Sequence, residues 1–221
     1  MSRCRTAAEA QGWPLAFVER PWLHVTIAQL ADRTAAEYTA ADRRVLAQEL
    51  QAAAAEIEPF EVMVGSCLSS VSGLVFDLHP DDQLTALIRA VRAAIERACG
   101  PHAAAYDVGV PHMTLAYATG DADSGEIQRR FRRVRPSHAP MTIDALHLLD
   151  VAVHAETAFT WTEPLARVEL GGQPQGVRLQ VRSRNGRPSA SGVQLADIDP
   201  WEHYRDAGIP ANQVHLRTPI V

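Results

Sequence analysis

Two histidines, each followed two residues later by a threonine, are the residues best suited to chemistry. His24 and Thr26 lie in Leu23-His24-Val25-Thr26-Ile27-Ala28, and the same pattern returns in Pro111-His112-Met113-Thr114-Leu115-Ala116. An imidazole with an ordinary pKa of about 6.5 takes or gives a proton near neutral pH, and a threonine hydroxyl donates a hydrogen bond to an anionic oxygen. Two of each, turned toward one groove, would offer acid, base and anion-binding groups to a single small anion. One His-x-Thr tripeptide says little, because about one is expected by chance in a chain this rich in histidine. The pair says more, because both copies sit in apolar stretches with the same flanking pattern.

The elements that must position these groups follow from periodicity. Both copies read as β-strands, about 22–30 and 110–118, in which alternate side chains share a face. His24 then lies beside Thr26, His112 beside Thr114, and Val25, Ile27, Met113 and Leu115 turn into a core. Trp22 falls on the face of His24 and is a candidate for stacking on a base. Tyr117 has the opposite parity to His112 and belongs to the core unless a bulge re-aims it.

Val45, Leu46, Leu50, Ala53 and Ile57 predict a helix over about 37–57 that stops before Pro59. Phe60–Val64 and Leu74–Leu78 are spaced as a hairpin. Leu84, Leu87, Ile88, Val91 and Ile95 predict a helix over about 81–99, ended by Gly100-Pro101. Asp123-Ser124-Gly125-Glu126 reads as a capping box opening a helix with Ile127, Phe131 and Val134 buried. Two strands follow, Met141–Val153 and Ala158 to about Leu170. Residues 1–20 show only a short helix near Thr6–Gln11 and a break at Gly12-Trp13-Pro14.

Each half thus runs motif strand, helix, strand pair, a weak internal duplication. The expectation is an α+β fold, bilobed, with pseudo-twofold duplicated antiparallel sheets backed by helices and a cleft between the lobes. The intertwined lobes occupy residues 1–170. Residues 171–221, rich in turn-forming residues, are expected to form a partly ordered appendage, with Val177–Val181 a possible strand and Asp199-Pro200-Trp201-Glu202 opening a short helix.

Composition excludes several chemistries. The 221 residues carry 21 basic side chains, all arginine. Without lysine there is no Schiff base, no lysine nucleophile and no P-loop lysine. The net charge of −5 argues against broad non-specific binding to nucleic acid, while leaving a local basic surface open. Cys4, Cys67 and Cys99 are odd in number and far apart, which points to reduced thiols rather than a disulfide framework or a thiolate zinc site. No apolar run is long enough to span a membrane, and the opening residues lack a signal peptide's apolar segment, so a cytoplasmic protein is expected.

Three segments, Arg20-Pro21-Trp22-Leu23-His24-Val25-Thr26-Ile27, Pro111-His112-Met113-Thr114-Leu115-Ala116-Tyr117 and the closing stretch Trp161–Leu170, give the chain a family resemblance. Over about residues 20–170 it resembles the two-histidine (2H) phosphoesterases of the 2′-5′ RNA ligase (LigT-like) and cyclic phosphodiesterase group, whose signature is a pair of H-x-[ST]-x strands in a bilobed fold. The resemblance implies a hydrolase acting on 2′,3′-cyclic phosphates or 2′-5′-linked RNA or nucleotides. His24 and His112 would be its acid and base, and Thr26 and Thr114 would bind phosphate. Which histidine is the base is left open.

The expected substrate is a small nucleotide or an RNA end. No cofactor, metal, membrane or DNA partner is expected, and the chain should be a monomer. The alternative is a non-catalytic protein that holds a nucleotide or RNA end in the same cleft; a metal-dependent hydrolase is a third reading. Family members usually begin with a strand and helix before the first motif. The residues ahead of His24 look poorly strand-like, so a missing sheet edge is expected, with Val177–Val181 as its replacement.

Two further features bear on substrate. Arg129-Arg130-Phe131-Arg132-Arg133-Val134-Arg135 is either a solvated helix face or a guide for an RNA backbone. The remaining histidines show no metal-ligand spacing, although His147 and His154 are placed to line the groove.

Overall fold

The structure is a computed structural model, and it describes residues 2–154, 159–160, 163–172, 214–217 and 219–220. In chain order it contains α1 (Ser2–Glu9), β1 (Leu15–Phe17), β2 (Ala28–Gln29), α2 (Ala40–Ala55), β3 (Phe60–Ser70), β4 (Gly73–His79), α3 (Asp82–Cys99) and β5 (His112–Ala118). There follow α4 (Ser124–Phe131), β6 (Ala139–Ile143), β7 (Ala145–Leu148), β8 (Val151–His154), β9 (Phe159–Thr160), β10 (Ala166–Glu169), β11 (Val214–Arg217) and β12 (Pro219–Ile220). Short 3-10 turns occupy Arg20–Trp22 and Ala35–Glu37.

The helices form where periodicity and capping agree. Thr39 accepts a hydrogen bond from the Asp42 amide, and the Asp42 carboxylate returns to the Thr39 backbone, so α2 starts three residues later than its apolar stripe suggests. Leu84, Leu87, Val91, Ala94 and Ile95 are buried along α3; a fully buried leucine or isoleucine contributes about 1.5–3 kcal/mol. Asp123 caps α4 by accepting from the amides of Gly125 and Glu126. The cap is there, without the reciprocal bond from Glu126 that a capping box would add.

Among the described residues every strand pairing is antiparallel. One sheet has the order β1-β5-β4-β3-β6, a second β10-β7-β12-β2, and a third, smaller one β11-β8-β9. The first sheet is covered by α4 and α1, with Cys67, Leu74, Leu115, Ala116, Ile127 and Phe131 packed between them. The second is covered by α2 and α3, whose Leu46, Leu50, Leu87 and Val91 share a core with Leu146, Leu148 and Val168. The layers are exchanged relative to chain order. The second-motif strand β5 lies between β1 and β4 from the first half of the chain, whereas β2, at the end of the first motif, lies in a sheet with β7 and β10 from the second half.

Three expectations need correction. The residues ahead of His24 do supply a sheet edge: Leu15, Ala16 and Phe17 pair with Ala118, Tyr117 and Ala116. Three residues are too few to show alternation, which is why the strand does not stand out in the sequence. The strand expected over 141–153 is three strands, broken at Asp144 and at Leu149-Asp150. The first motif is not one continuous strand: Pro21, with no N–H to donate, sits in a 3-10 turn, and regular pairing begins only at Ala28. The segments Val177–Val181 and 199–202 lie outside the described residues. At the far end of the chain, β12 pairs with both β2 and β7, and β11 pairs with β8. Cys4, Cys67 and Cys99 are free thiols.

Candidate active site

The two motifs meet at their middle residues. Val25 forms an isolated antiparallel bridge to Met113. Antiparallel register about that bridge sets His24 across from Thr114 and Thr26 across from His112, so each histidine faces the other motif's threonine. Val25, Ile27 and Met113 are buried in the core as expected. His24, Thr26, His112 and Thr114 all line one cavity.

Both imidazoles are held in the same way. His24 Nδ1 lies 2.7 Å from the carbonyl oxygen of Trp22, and His112 Nδ1 lies 2.8 Å from that of Val110. A carbonyl only accepts, so each Nδ1 carries the proton and donates it. In the neutral ring Nε2 then carries the lone pair, the atom a proton donor or acceptor uses.

The surroundings of the two rings differ. His24 is half-buried, whereas His112 is exposed. Burial pulls the His24 pKa below its ordinary value, and the nearby His112 adds to that, against an opposing contribution from the Trp22 carbonyl.

Tyr117 reaches the same cavity because β5 is bulged. Val75 pairs with Thr114 and Leu74 pairs with Ala116, so Leu115 is the extra residue and the parity beyond it reverses. The phenol hydrogen-bonds the Thr114 side chain, and burial pushes its pKa up to about 12. Gly73 makes the bulge possible. It sits opposite Tyr117 with φ +141°, and a Cβ there would lie 2.1 Å from the Ala116 carbonyl oxygen.

Tyr106 supplies an aromatic side chain on another wall and is 42% exposed. Gln29, Ser72 and Val151 are among the other residues of the polar and apolar lining. Sequence reasoning did not single out Tyr106, Gln29 or Ser72. Ser72 is betrayed only by its place beside the Gly73 turn, and Tyr106 by its place in the loop leading to the second motif.

Trp22 does not occupy the strand face expected of it. It ends the 3-10 turn, contributes its carbonyl to His24, and is not among the residues lining the cavity. His147, on β7 opposite Arg167, is also off the cavity wall, and the His154 side chain lies outside the described residues. Among the described residues no group of three or more His, Cys, Asp or Glu is placed to hold a metal ion. No described helix is long and apolar enough to cross a membrane.

A family model of the 2′-5′ RNA ligase superfamily matches residues 1–155. The chain belongs to this superfamily of two-histidine phosphoesterases. The superfamily chain is similar in fold to the crystal structure of TT0787 of Thermus thermophilus, with a TM-score of 0.52 and 19% sequence identity over 78% of this chain and 93% of that one. A search of curated proteins finds no match. The α+β architecture of antiparallel sheets backed by helices, expected from the sequence, is thus the architecture of the family.

Proposed function

We propose that the protein is a phosphodiesterase that hydrolyses 2′,3′-cyclic phosphates or 2′-5′ linkages of nucleotides or RNA ends by two-histidine acid–base catalysis. The observation that carries this reading is the bridge between Val25 and Met113, which sets each histidine opposite the other motif's threonine around one cavity. Membership of the superfamily supports the same substrate class.

The phosphate would sit between the motifs, its non-bridging oxygens accepting hydrogen bonds from Thr26 and Thr114, where negative charge grows in the transition state. His24, kept neutral by burial, takes a proton at Nε2 from an attacking water. As the new P–O bond forms, the bond from phosphorus to one ribose oxygen breaks, and His112, protonated, gives its Nε2 proton to that oxygen. One proton enters the pair and one leaves it, so a phosphomonoester and a free hydroxyl result. Tyr117, protonated over the working range, holds the Thr114 hydroxyl in place. The pair itself supplies both proton transfers, and this route needs no metal or cofactor. Tyr106, which lines the cavity where Trp22 does not, would receive the nucleobase.

The test is hydrolysis of 2′,3′-cyclic mononucleotides and 2′-5′ dinucleotides in EDTA, followed by chromatography of the phosphomonoester. Turnover that survives chelation is expected. Tight binding of the same compounds without turnover would replace this reading with that of a binding protein, and loss of turnover on chelation with that of a metal-dependent hydrolase.

A further inference from the structure

The cations of this protein are not distributed alike. Arg5, Arg33, Arg43, Arg92, Arg97 and Arg167 are each paired with a carboxylate. Among the described residues none of the five arginines between 129 and 135 makes such a pair, although the chain as a whole carries −5. From Ile127 to Ile143 the sequence contains no acidic residue at all.

The fold turns these arginines outward. Ile127 and Phe131 are the buried side of α4, so Arg129, Arg130, Arg132 and Arg133 are exposed around its last turn and the residues that follow. Arg3 joins them from α1, donating from Nη1 to the Arg135 carbonyl at 2.5 Å, and Arg3 and Arg130 flank a shallow groove between the two helices. Arg135 is spent locally, donating to the carbonyls of Arg132 and Val134. Other arginines without a carboxylate partner, Arg20, Arg44 and Arg89, lie on three different elements. The carboxylates nearest in sequence, Asp121, Asp123 and Glu126, lie toward the N-terminal end of α4, and Arg129 Nη1 reaches back beside Gly125 toward Asp123 without forming an ion pair.

An acidic protein that leaves like charges crowded and without ion-pair partners around one helix end accepts a repulsion that a polyanion would relieve. We propose that the surface formed by Arg129, Arg130, Arg132 and Arg133, extended by Arg3, binds the sugar-phosphate backbone of single-stranded RNA. Arginine suits this role, since its planar fork matches phosphate oxygens. Residues 119–123 alone separate α4 from the end of β5, the strand that carries His112, Thr114 and Tyr117. The choice of RNA over another polyanion rests on the proposed substrate class; the charge imbalance does not. The protein would thereby prefer an RNA end on a longer strand to a mononucleotide, gaining affinity outside the cavity.

The experiment measures fluorescence anisotropy of a labelled 12-nucleotide single-stranded RNA with the full-length protein from 50 to 200 mM salt. Each neutralised phosphate on a single strand contributes about −0.7 to the slope of log K against log salt, so four arginines predict about −2.8, an affinity loss of about 50-fold over this range. The variant R129Q/R130Q/R132Q/R133Q is expected to lose most of that slope and bind at least 10-fold more weakly in 50 mM salt, with turnover of a cyclic mononucleotide unchanged. That unchanged turnover, or an unchanged circular dichroism melt, shows that the variant is folded.

Salt-independent binding by the wild type, or equal RNA affinity in the variant, overturns the proposal. So does arginine-dependent binding to phosphatidylserine vesicles without binding to RNA. If no compound is turned over but RNA binding still depends on these arginines, the surface stands and the phosphodiesterase reading falls.

Discussion

The two His-x-Thr segments match closely in sequence and differ in structure. The second lies at the start of β5, a seven-residue strand flanked on both sides by partners, and its histidine is exposed. The first follows a proline-containing 3-10 turn, touches its counterpart through a single bridge, and carries its histidine half-buried. A repeated motif therefore need not be a repeated environment. The carbonyl two residues upstream fixes the same tautomer in both copies, while burial lowers the proton affinity of His24. A lowered proton affinity at His24 suits the base of the proposed mechanism.

Removing either imidazole is the most severe way to break the comparison. His24→Ala and His112→Ala are each expected to lower kcat on a 2′,3′-cyclic nucleotide by about 10²–10⁴-fold. The double variant should fall little further, because the proposed mechanism uses both in one step. Steady-state kinetics with both single variants and the double decides this, and full activity in either single variant would refute the paired mechanism.

Thr26→Val and Thr114→Val come next. Loss of one hydrogen-bond donor to developing charge is expected to cost about 10²–10³-fold in kcat, with a smaller change in KM. Equal losses would show that the phosphate sits symmetrically between the motifs.

Tyr117→Phe sharpens the contrast with less damage, since only the second motif has this bulge-borne partner in its own strand. Removing one hydrogen bond of about 1 kcal/mol should cost about fivefold in kcat. The effect should vanish in a Thr114→Val background and add to that of Thr26→Val, and a double-mutant cycle on each pair measures both outcomes.

The smallest effect is a titration. The His24 ring should titrate below about 6.5 by NMR, because burial and the His112 charge both disfavour its protonated form. His112→Gln should move it upward. The sign for stability follows from the same shift. Above about 6.5 the ring is neutral in both folded and unfolded chains and contributes nothing to the pH dependence; as pH falls from there through the folded value, the unfolded chain takes up the proton first and stability is lost.

Much of this was legible in the residues because it is local. The stripes of α2 and α3, the Asp123 cap, the Pro59 and Gly100 stops and the inward side of each motif depend on neighbours a few positions apart, and periodicity records them. Tyr117 shows the limit. Its parity places it in the core, and only the extra residue at Leu115, accommodated by a glycine far away in sequence, turns it to the cavity. Trp22 shows the opposite error: alternation assigned it a face, and the turn around Pro21 removed it. β1 was too short to announce itself.

By itself, then, the sequence determined the two His-x-Thr motifs, their family, the α+β architecture and the absence of lysine chemistry, all of which reside in residue identity and short-range spacing. Only the tertiary structure decided that the motifs bridge at Val25 and Met113 and that each joins strands from the other half of the chain. It also decided that one imidazole is more deeply buried than the other, and that the arginines around the end of α4 make no ion pair with a described carboxylate. Those outcomes depend on which distant strands pair and on what then covers each side chain, and no local pattern encodes either.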